Sequence, residues 1–248
     1  MDLASARERI VSVVAGERTI DEASAKRVAD SAMSDLDAVT GRLRQVIGSQ
    51  SHVVIGVTGA TAGDGASTSA ALMAIGVAFH SPSRSNGPPG AAGTCLLVDA
   101  DLRRPAQHQL FGVEASPGLW EVLEGERTLD EVVRPVLPPE LGLVPAGSPP
   151  WGSRSLSAGM GAIARVVDDA RNRHAAVLID LPPLLVVPEA EHISTLCDGV
   201  VLVVRADKTR QEVMQQAQTR LEAAGSRLLG VILNRRRFYV PAKLYRWF

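Results

Sequence analysis

Residues 53–71 read VVIGVTGATAGDGASTSAA, an apolar run followed by a loop of glycines and small hydroxyl residues. The apolar run predicts a buried β-strand, and a helix is expected to begin after the loop. This order is typical of a phosphate-binding loop, whose pattern is G-x-x-x-x-G-K-[ST]. Ala66 follows Gly65 here, so the lysine of that pattern is absent. The stretch fits a nucleotide site that lost its main cation, a site that draws the cation from elsewhere, or a plain strand–turn–helix connection.

The loop itself provides a set of candidate nucleotide-binding residues. Backbone N–H groups at the start of a helix bind anions, and a loop of small residues lets a phosphate approach them closely. The Ser67 hydroxyl follows the lysine position and is placed to ligate Mg²⁺, whereas Thr68 could reach an inner phosphate. The candidate nucleotide-binding residues of the loop are Gly63, Asp64, Gly65, Ala66, Ser67 and Thr68.

The chain after residue 52 alternates short apolar runs with helical stretches. Strands are predicted at residues 53–57, 94–99, 141–145, 176–180, 199–205 and 228–233. Helices are predicted at residues 67–79, 119–123, 157–174, 188–196 and 208–224. Continuous Val/Ile/Leu strands separated by helices are typical of a parallel sheet that is covered on both faces. We therefore expect an α/β fold of three layers with a mostly parallel sheet.

Two of the predicted strands end in acidic residues. Asp99 and Asp101 close the segment LLVDAD at 96–101, and Asp180 closes LID at 178–180. Ligands of a parallel sheet bind beyond the carboxyl ends of its strands, so these side chains are expected beside the phosphate loop. Buried carboxylates are costly unless they hold a metal or hydrogen bonds, and a strand-ending aspartate holds Mg²⁺ in the Walker B arrangement. Together the three carboxylates and the loop predict a nucleotide–Mg²⁺ site.

The composition excludes some classes of protein and bounds others. The 248 residues can form one large α/β domain with an appendage, and the net charge of −1 argues against nucleic acid as a partner. The N-terminus is charged and lacks the apolar core of a signal peptide, and no run is long and apolar enough to span a membrane. The two cysteines lie in apolar runs, which is typical of buried, reduced thiols. We expect a cytoplasmic protein.

Several longer motifs follow one another along residues 50–235. They are LLVDADLRRP at 96–105, GLWEVLEG at 118–125, LGLVPAGSPP at 141–150, LIDLPP at 178–183, DGVVLVVRADKTR at 198–210 and LGVILNR at 229–235. In these motifs and their order the chain resembles the bacterial tyrosine kinases of capsule and exopolysaccharide synthesis, the BY-kinases. That family is a branch of the MinD/ParA group of P-loop ATPases.

The resemblance implies a P-loop NTPase fold, ATP and Mg²⁺ as cofactors, and phosphoryl transfer to tyrosines. It also implies a membrane partner, a Wzz-like polysaccharide co-polymerase. By this resemblance, Asp99 polarises the attacking hydroxyl and Asp101 assists at the metal as the second catalytic residue. Mg²⁺ is then held by Ser67, Asp101 and Asp180, and Asn234 faces the adenine.

Three features depart from the pattern of the family. Ala66 stands at the lysine position, where loss of one donor to transition-state charge typically costs about 10²–10³ in rate. The tyrosine-rich tail is reduced to two candidate phosphoacceptors, Tyr239 and Tyr245. Of the E-x-x-R-x-x-R helix used in ring formation, only Arg44 matches, because Ala38 and Gly41 occupy the other places.

These departures leave three hypotheses open. The first is a catalytically impaired, tyrosine-kinase-like regulator of exopolysaccharide production that binds nucleotide weakly or not at all. The second is an active autokinase that uses an arginine or a partner's cation and phosphorylates Tyr239 or Tyr245. The third is a MinD/ParA-like positioning ATPase. The RRP segment at 103–105 and the segment PAGSPP at 145–150 favour the polysaccharide branch over the third hypothesis.

The two ends of the chain are expected to be appendages. Residues 1–49 carry apolar positions at helical spacing and predict a helical N-terminal segment before a domain at 50–235. Residues 236–248 form a basic, aromatic tail, which could contact the inner face of the cell membrane peripherally or fold back onto the domain. Homo-oligomers are a further expectation from the family.

Overall fold

The computed structural model describes residues 52–80, 95–137, 141–148 and 160–234. These residues form one seven-stranded sheet in the order β3-β4-β2-β5-β1-β6-β7. The strands are β1 (Val53–Gly59), β2 (Cys95–Asp99), β3 (Arg134–Leu137), β4 (Leu141–Val144), β5 (Ala176–Asp180), β6 (Gly199–Arg205) and β7 (Leu228–Asn234). The predicted regions 1–49 and 236–248, including Arg44, Tyr239 and Tyr245, lie outside the described residues.

Seven helices are described in the same ranges. They are α1 (Ala66–His80), α2 (Gln107–Phe111), α3 (Leu119–Leu123), α4 (Leu129–Val132), α5 (Met160–Arg173), α6 (Pro188–Ser194) and α7 (Gln211–Ala223). Among these residues, no helix is long and apolar enough to cross a membrane.

The sheet is parallel except at one edge. β1 pairs in parallel with β5 and β6, and β2 pairs in parallel with β4 and β5, whereas β3 runs antiparallel to β4. Neighbouring residues of a strand point to opposite faces, and in the central strands both sets are apolar and buried. Two buried faces explain why these strands read as continuous apolar runs.

The helices cover both faces of the sheet and produce three layers. One apolar cluster joins Ile55, Leu97 and Leu178 of the sheet to α1. Their strand neighbours on the opposite face, such as Val54, pack with α3, α4 and α5, and β6 packs with α6 and α7 in a third cluster. The predicted α/β fold of three layers with a mostly parallel sheet is confirmed.

Three short elements were not expected from the sequence. β3 has four residues and includes Pro135, so it carries neither a long apolar run nor a full set of N–H donors. α2 and α4 have five and four residues, which is too short to show helical periodicity. All six predicted strands exist, with ends shifted by two residues at most.

Candidate functional site

The phosphate loop and the two acidic strand ends meet at one edge of the sheet. β5 lies between β1 and β2, with Val57 paired to Asp180 and Asp99 paired to the same Asp180. Adjacent strands are about 4.8 Å apart, so the carboxyl ends of the three strands form a single small surface. The loop that follows β1 leads directly into α1 at Ala66.

The loop has the backbone shape of an anion-binding site. Gly63 and Gly65 adopt φ angles of 86° and 92°, a region that favours glycine. A side chain at Gly65 would also collide with the amide of Asn234. The Ser69 N–H donates to the Gly65 carbonyl at 3.0 Å as α1 begins, and the N–H groups before it have no intrahelical acceptor. The start of α1 can therefore offer these donors to a phosphate.

Asp64 holds the loop in this shape from within. Its carboxylate is almost fully buried and accepts hydrogen bonds from the Thr61 N–H at 2.8 Å and the Thr61 hydroxyl at 3.3 Å. Its other oxygen accepts from the Thr209 hydroxyl at 2.8 Å. Asp64 was a candidate for contact with nucleotide. The structure directs its side chain into the protein, where it ties the loop to the segment between β6 and α7.

Asn234, the candidate adenine contact, lies at the end of β7 beside the same loop. Its amide donates to the backbone carbonyl of Asp64 at 2.8 Å. The side chain therefore contacts the loop that would hold the phosphates.

The lysine position holds a methyl group and no charge. Ala66 is the first residue of α1 and packs against the apolar cluster beneath that helix. Among nearby basic residues, Arg103 pairs with Glu189 at 2.9 Å and Lys208 is exposed. The Arg103 guanidinium is thus already paired with a carboxylate.

Asp99 and Asp101 are both buried, and both organise the backbone around them. One oxygen of Asp99 accepts from the N–H groups of Ala106 and Gln107, each at 3.0 Å, where α2 begins. Asp101 accepts from the N–H groups of Arg103 at 3.3 Å and Arg104 at 3.0 Å. The two candidate catalytic residues thus also shape the turn that follows β2.

Asp180 is completely buried, and its two oxygens differ. Oδ2 accepts from the side-chain amide of Gln107 at 2.7 Å. Oδ1 is buried and has no hydrogen-bond partner among the described residues. Gln107 also donates to the backbone carbonyl of Ser67 at 2.9 Å, while its own Oε1 is buried without a partner in the described ranges.

The proximity of the carboxylates disfavours their charged forms. Burial raises the pKa of Asp99 to about 6, and the charge of Asp101 also raises it. The N–H donors of Gln107 and Ala106 act in the opposite direction and lower it. Burial, followed by the charge of Asp99, raises the pKa of Asp180 well above its usual range, although the Gln107 amide and the nearby Ser67 side chain lower it. Both carboxylates would gain from a nearby cation.

The donor set fits a magnesium ion that shares its ligands with a nucleotide. In the described ranges, no three His, Cys, Asp or Glu side chains are grouped so that they could hold a metal alone. Mg²⁺ is usually bound through one or two carboxylates together with substrate phosphates. Asp180 offers one carboxylate oxygen without a partner among the described residues, and the Ser67 side chain lies close enough to lower the pKa of Asp180.

Gln107 and Thr209 are site residues that the sequence did not identify. Gln107 is fully buried and joins Ser67 to Asp180, and Thr209 is bonded to Asp64. A buried glutamine in QHQLF has no pattern that distinguishes it from its exposed neighbour Gln109. Thr209 lies in the motif at 198–210. The motif identifies this segment, but it does not predict that Thr209 contacts Asp64.

Comparisons with known proteins find that the chain is similar to tyrosine-protein kinases. Tyrosine-protein kinase YwqD of Bacillus subtilis is 31% identical over 179 residues, which cover 72% of this chain and 70% of that protein. Tyrosine-protein kinase CpsD of Streptococcus agalactiae is 28% identical over 183 residues, covering 73% of this chain and 75% of that protein. No protein-family profile matches the chain.

A solved structure agrees with these relatives. The kinase domain of VpsO is 27% identical with a TM-score of 0.70, and the match covers 84% of this chain and 97% of that domain.

Proposed function

Because this chain belongs to the family of bacterial tyrosine-protein kinases, we propose that it is a tyrosine-kinase-like regulator of capsule or exopolysaccharide polymerisation and export. Its own phosphoryl transfer is impaired in this proposal. The observation that carries it is Ala66, whose methyl group stands at the lysine position at the start of α1 and packs against the apolar cluster beneath that helix. The loop is shaped to hold a phosphate, and the charge that would stabilise its transfer is missing.

Each part of the site has a role in binding. The first N–H groups of α1 would hold the phosphates of ATP, and the Ser67 hydroxyl and Asp180 carboxylate would hold Mg²⁺. When bound, ATP supplies the phosphoryl group and Mg²⁺ neutralises part of the phosphate charge. Asp101 lies at the same edge and would assist at the metal.

Asp99 would orient a tyrosine hydroxyl. Its pKa of about 6, raised by burial, leaves the carboxylate ionised near neutral pH and able to accept a hydrogen bond from that hydroxyl.

The regulatory part of the proposal concerns a membrane partner. A protein that binds nucleotide and transfers phosphate poorly can still act by its conformation on a Wzz-like polysaccharide co-polymerase. The basic, aromatic segment 236–248 would bring the chain to the inner face of the membrane. Co-sedimentation with anionic vesicles, with and without residues 236–248, tests this step, and equal binding of both chains would contradict it.

The central test is a titration with ATP and Mg²⁺, followed by measurement of phosphate release and phosphotyrosine. We expect weak nucleotide binding and turnover close to background for the natural chain. Ala66→Lys should raise turnover by about 10²–10³, because it restores a donor to transition-state charge. Ala62→Lys adds the same charge elsewhere in the same loop and should not raise it.

The same measurement decides the second candidate, an active autokinase. The retention of Asp99, Asp101 and Asp180, with an uncommitted oxygen on Asp180, favours this candidate. Tight ATP binding by the natural chain, with phosphate appearing on Tyr239 or Tyr245, would establish it. A natural chain that turns over as fast as Ala66→Lys would contradict the impaired regulator.

A further inference from the structure

Gln107 contacts three parts of the site. Its backbone N–H donates to Asp99 at 3.0 Å, its side-chain amide donates to Asp180 at 2.7 Å, and the same amide donates to the Ser67 carbonyl at 2.9 Å. The residue is fully buried at the first position of α2. The side chain thus joins the phosphate loop to the end of β5, and the backbone of the same residue contacts the end of β2.

The orientation of the amide follows from its acceptors. A backbone carbonyl and a carboxylate can accept hydrogen bonds but, when the carboxylate is ionised, cannot donate them. Both lie within 2.9 Å of the amide nitrogen, so the NH₂ group and not Oε1 faces them. Oε1 is therefore the atom left over, and it is buried without a partner in the part of the chain that the structure describes.

The hydrogen bond between Gln107 and Asp180 leaves one oxygen of each side chain without a partner among the described residues. Oε1 of Gln107 and Oδ1 of Asp180 are both buried and unpartnered among the described residues, while the other ends of the two groups bond to each other. Buried polar atoms almost always have a partner, and an exception points to a water, an ion or a functional role. Here both exceptions are oxygens, which suit a hard cation.

We propose that Gln107 is a positioning residue for the divalent cation of the site. By bonding Oδ2 of Asp180, its amide leaves Oδ1 as the free oxygen of that carboxylate and fixes its direction relative to Ser67. Hydrogen bonds to ligating carboxylates orient them, and their loss typically lowers metal affinity by roughly 10- to 100-fold. This inference rests on the proposed nucleotide–Mg²⁺ function.

The test uses the full chain with ADP and Mn²⁺ in place of Mg²⁺. The affinity for Mn²⁺ is read from the paramagnetic resonance signal of the free ion, and the affinity for ADP is measured separately in EDTA. For Gln107→Ala we expect Mn²⁺ affinity in the presence of ADP to fall by roughly 10- to 100-fold. The affinity for ADP in EDTA should change by much less, because the amide contacts no group that binds phosphate directly.

Gln109→Ala is the matched control, since it removes the same side chain from an exposed position of the same helix. It should leave both affinities unchanged. Gln107→Met keeps the length and volume of the side chain and removes the amide. If the alanine variant does not fold, the methionine variant gives the same measurement, and thermal melting identifies which variants are folded.

Several outcomes would overturn the role of Gln107. The first is an unchanged Mn²⁺ affinity in folded variants. The second is tighter Mn²⁺ binding, which would mean that the amide competes with the cation. The third is an equal loss of affinity for Mn²⁺ and for ADP. The last would indicate a general structural role. A natural chain that binds neither ADP nor Mn²⁺ would instead overturn the nucleotide–Mg²⁺ part of the proposed function, and the inference with it.

Discussion

Asp64 and Asp180 are both almost fully buried at the same edge of the sheet, yet their surroundings differ. Asp64 has a hydrogen-bond donor on each carboxylate oxygen, from Thr61 on one and Thr209 on the other. Asp180 has the Gln107 amide on one oxygen and no described partner on the other, and it lies beside a second buried carboxylate, Asp99, on the neighbouring strand.

The hydrogen bonds of Asp64 in the phosphate loop are complete, whereas one oxygen of Asp180 has no partner among the described residues. The phosphate loop is held in shape by hydrogen bonds from the chain itself. The carboxylate side is arranged at a cost in stability that a cation would relieve, which is typical of functional sites. Substitution of the two aspartates should therefore shift the free energy of unfolding in opposite directions.

The largest effect is expected for Asp64→Ala. The substitution leaves the Thr61 N–H and the Thr209 hydroxyl without their acceptor, and each unsatisfied buried group costs about 1–3 kcal/mol. We expect the free energy of unfolding, measured by urea denaturation, to fall by about 2–4 kcal/mol. Asp64→Asn retains one acceptor oxygen and should lose less. Equal stability of Asp64→Ala and the natural chain would mean that the loop is not held from within.

Asp180→Asn should stabilise the protein when measured in EDTA. The amide keeps an acceptor oxygen for Gln107 and cannot ionise beside Asp99, whereas burial disfavours the ionised form of Asp180. The free energy of unfolding should therefore rise, and the gain should be largest at a pH at which the unfolded chain has released the proton of Asp180. The same variant should bind Mn²⁺ with ADP far more weakly, which separates the loss of function from the gain in stability. A loss of stability would remove the contrast between the two aspartates.

The stability difference between Asp180→Asn and the natural chain should depend on pH. Burial and Asp99 raise the pKa of Asp180 in the folded protein, so the folded state holds a proton that the unfolded state releases near pH 3.9. The natural chain then loses stability, relative to the variant, as the pH rises above about 4. The difference should be close to zero at pH 4 and should widen until Asp180 is ionised in the fold. Urea denaturation in EDTA at several pH values checks this, and a constant difference would contradict it.

The fold and the meeting of the strand ends were predictable from the sequence for a clear reason. β1, β2 and β5 are buried on both faces, so each appears as an unbroken apolar run. In a parallel sheet such runs end at one edge, which brings Asp99 and Asp180 together without any knowledge of the strand order.

The contacts that complete the site were not predictable in the same way. Thr209 and Asp64 are separated by 145 positions, and only the packing of α7 and β6 against the loop brings them together. Gln107 lies on a helix of five residues, where no periodicity indicates which glutamine is buried. The direction of the Asp64 side chain was also hidden, because an aspartate in a phosphate loop fits an inward or an outward position equally well.

The smallest effect, and the most specific for the loop, is expected for Thr209→Val. The Thr209 hydroxyl donates to Asp64 at 2.8 Å and accepts from the Arg205 N–H at 3.1 Å. Valine has nearly the same shape, so the substitution removes these two bonds without leaving a cavity. We expect a loss of about 1–3 kcal/mol in the free energy of unfolding, because each bond contributes about 0.5–1.5 kcal/mol. Thr219→Val, at an exposed position of α7, is the control and should be neutral.

Combining Thr209→Val with Asp64→Ala distinguishes the source of this loss. If the hydroxyl stabilises the protein through Asp64, the double variant should be less destabilised than the sum of the single variants, because the same bond is counted in each. Additive losses would mean that Thr209 acts through Arg205 alone. The phosphate loop would then depend on Thr61 and Asn234 for its shape.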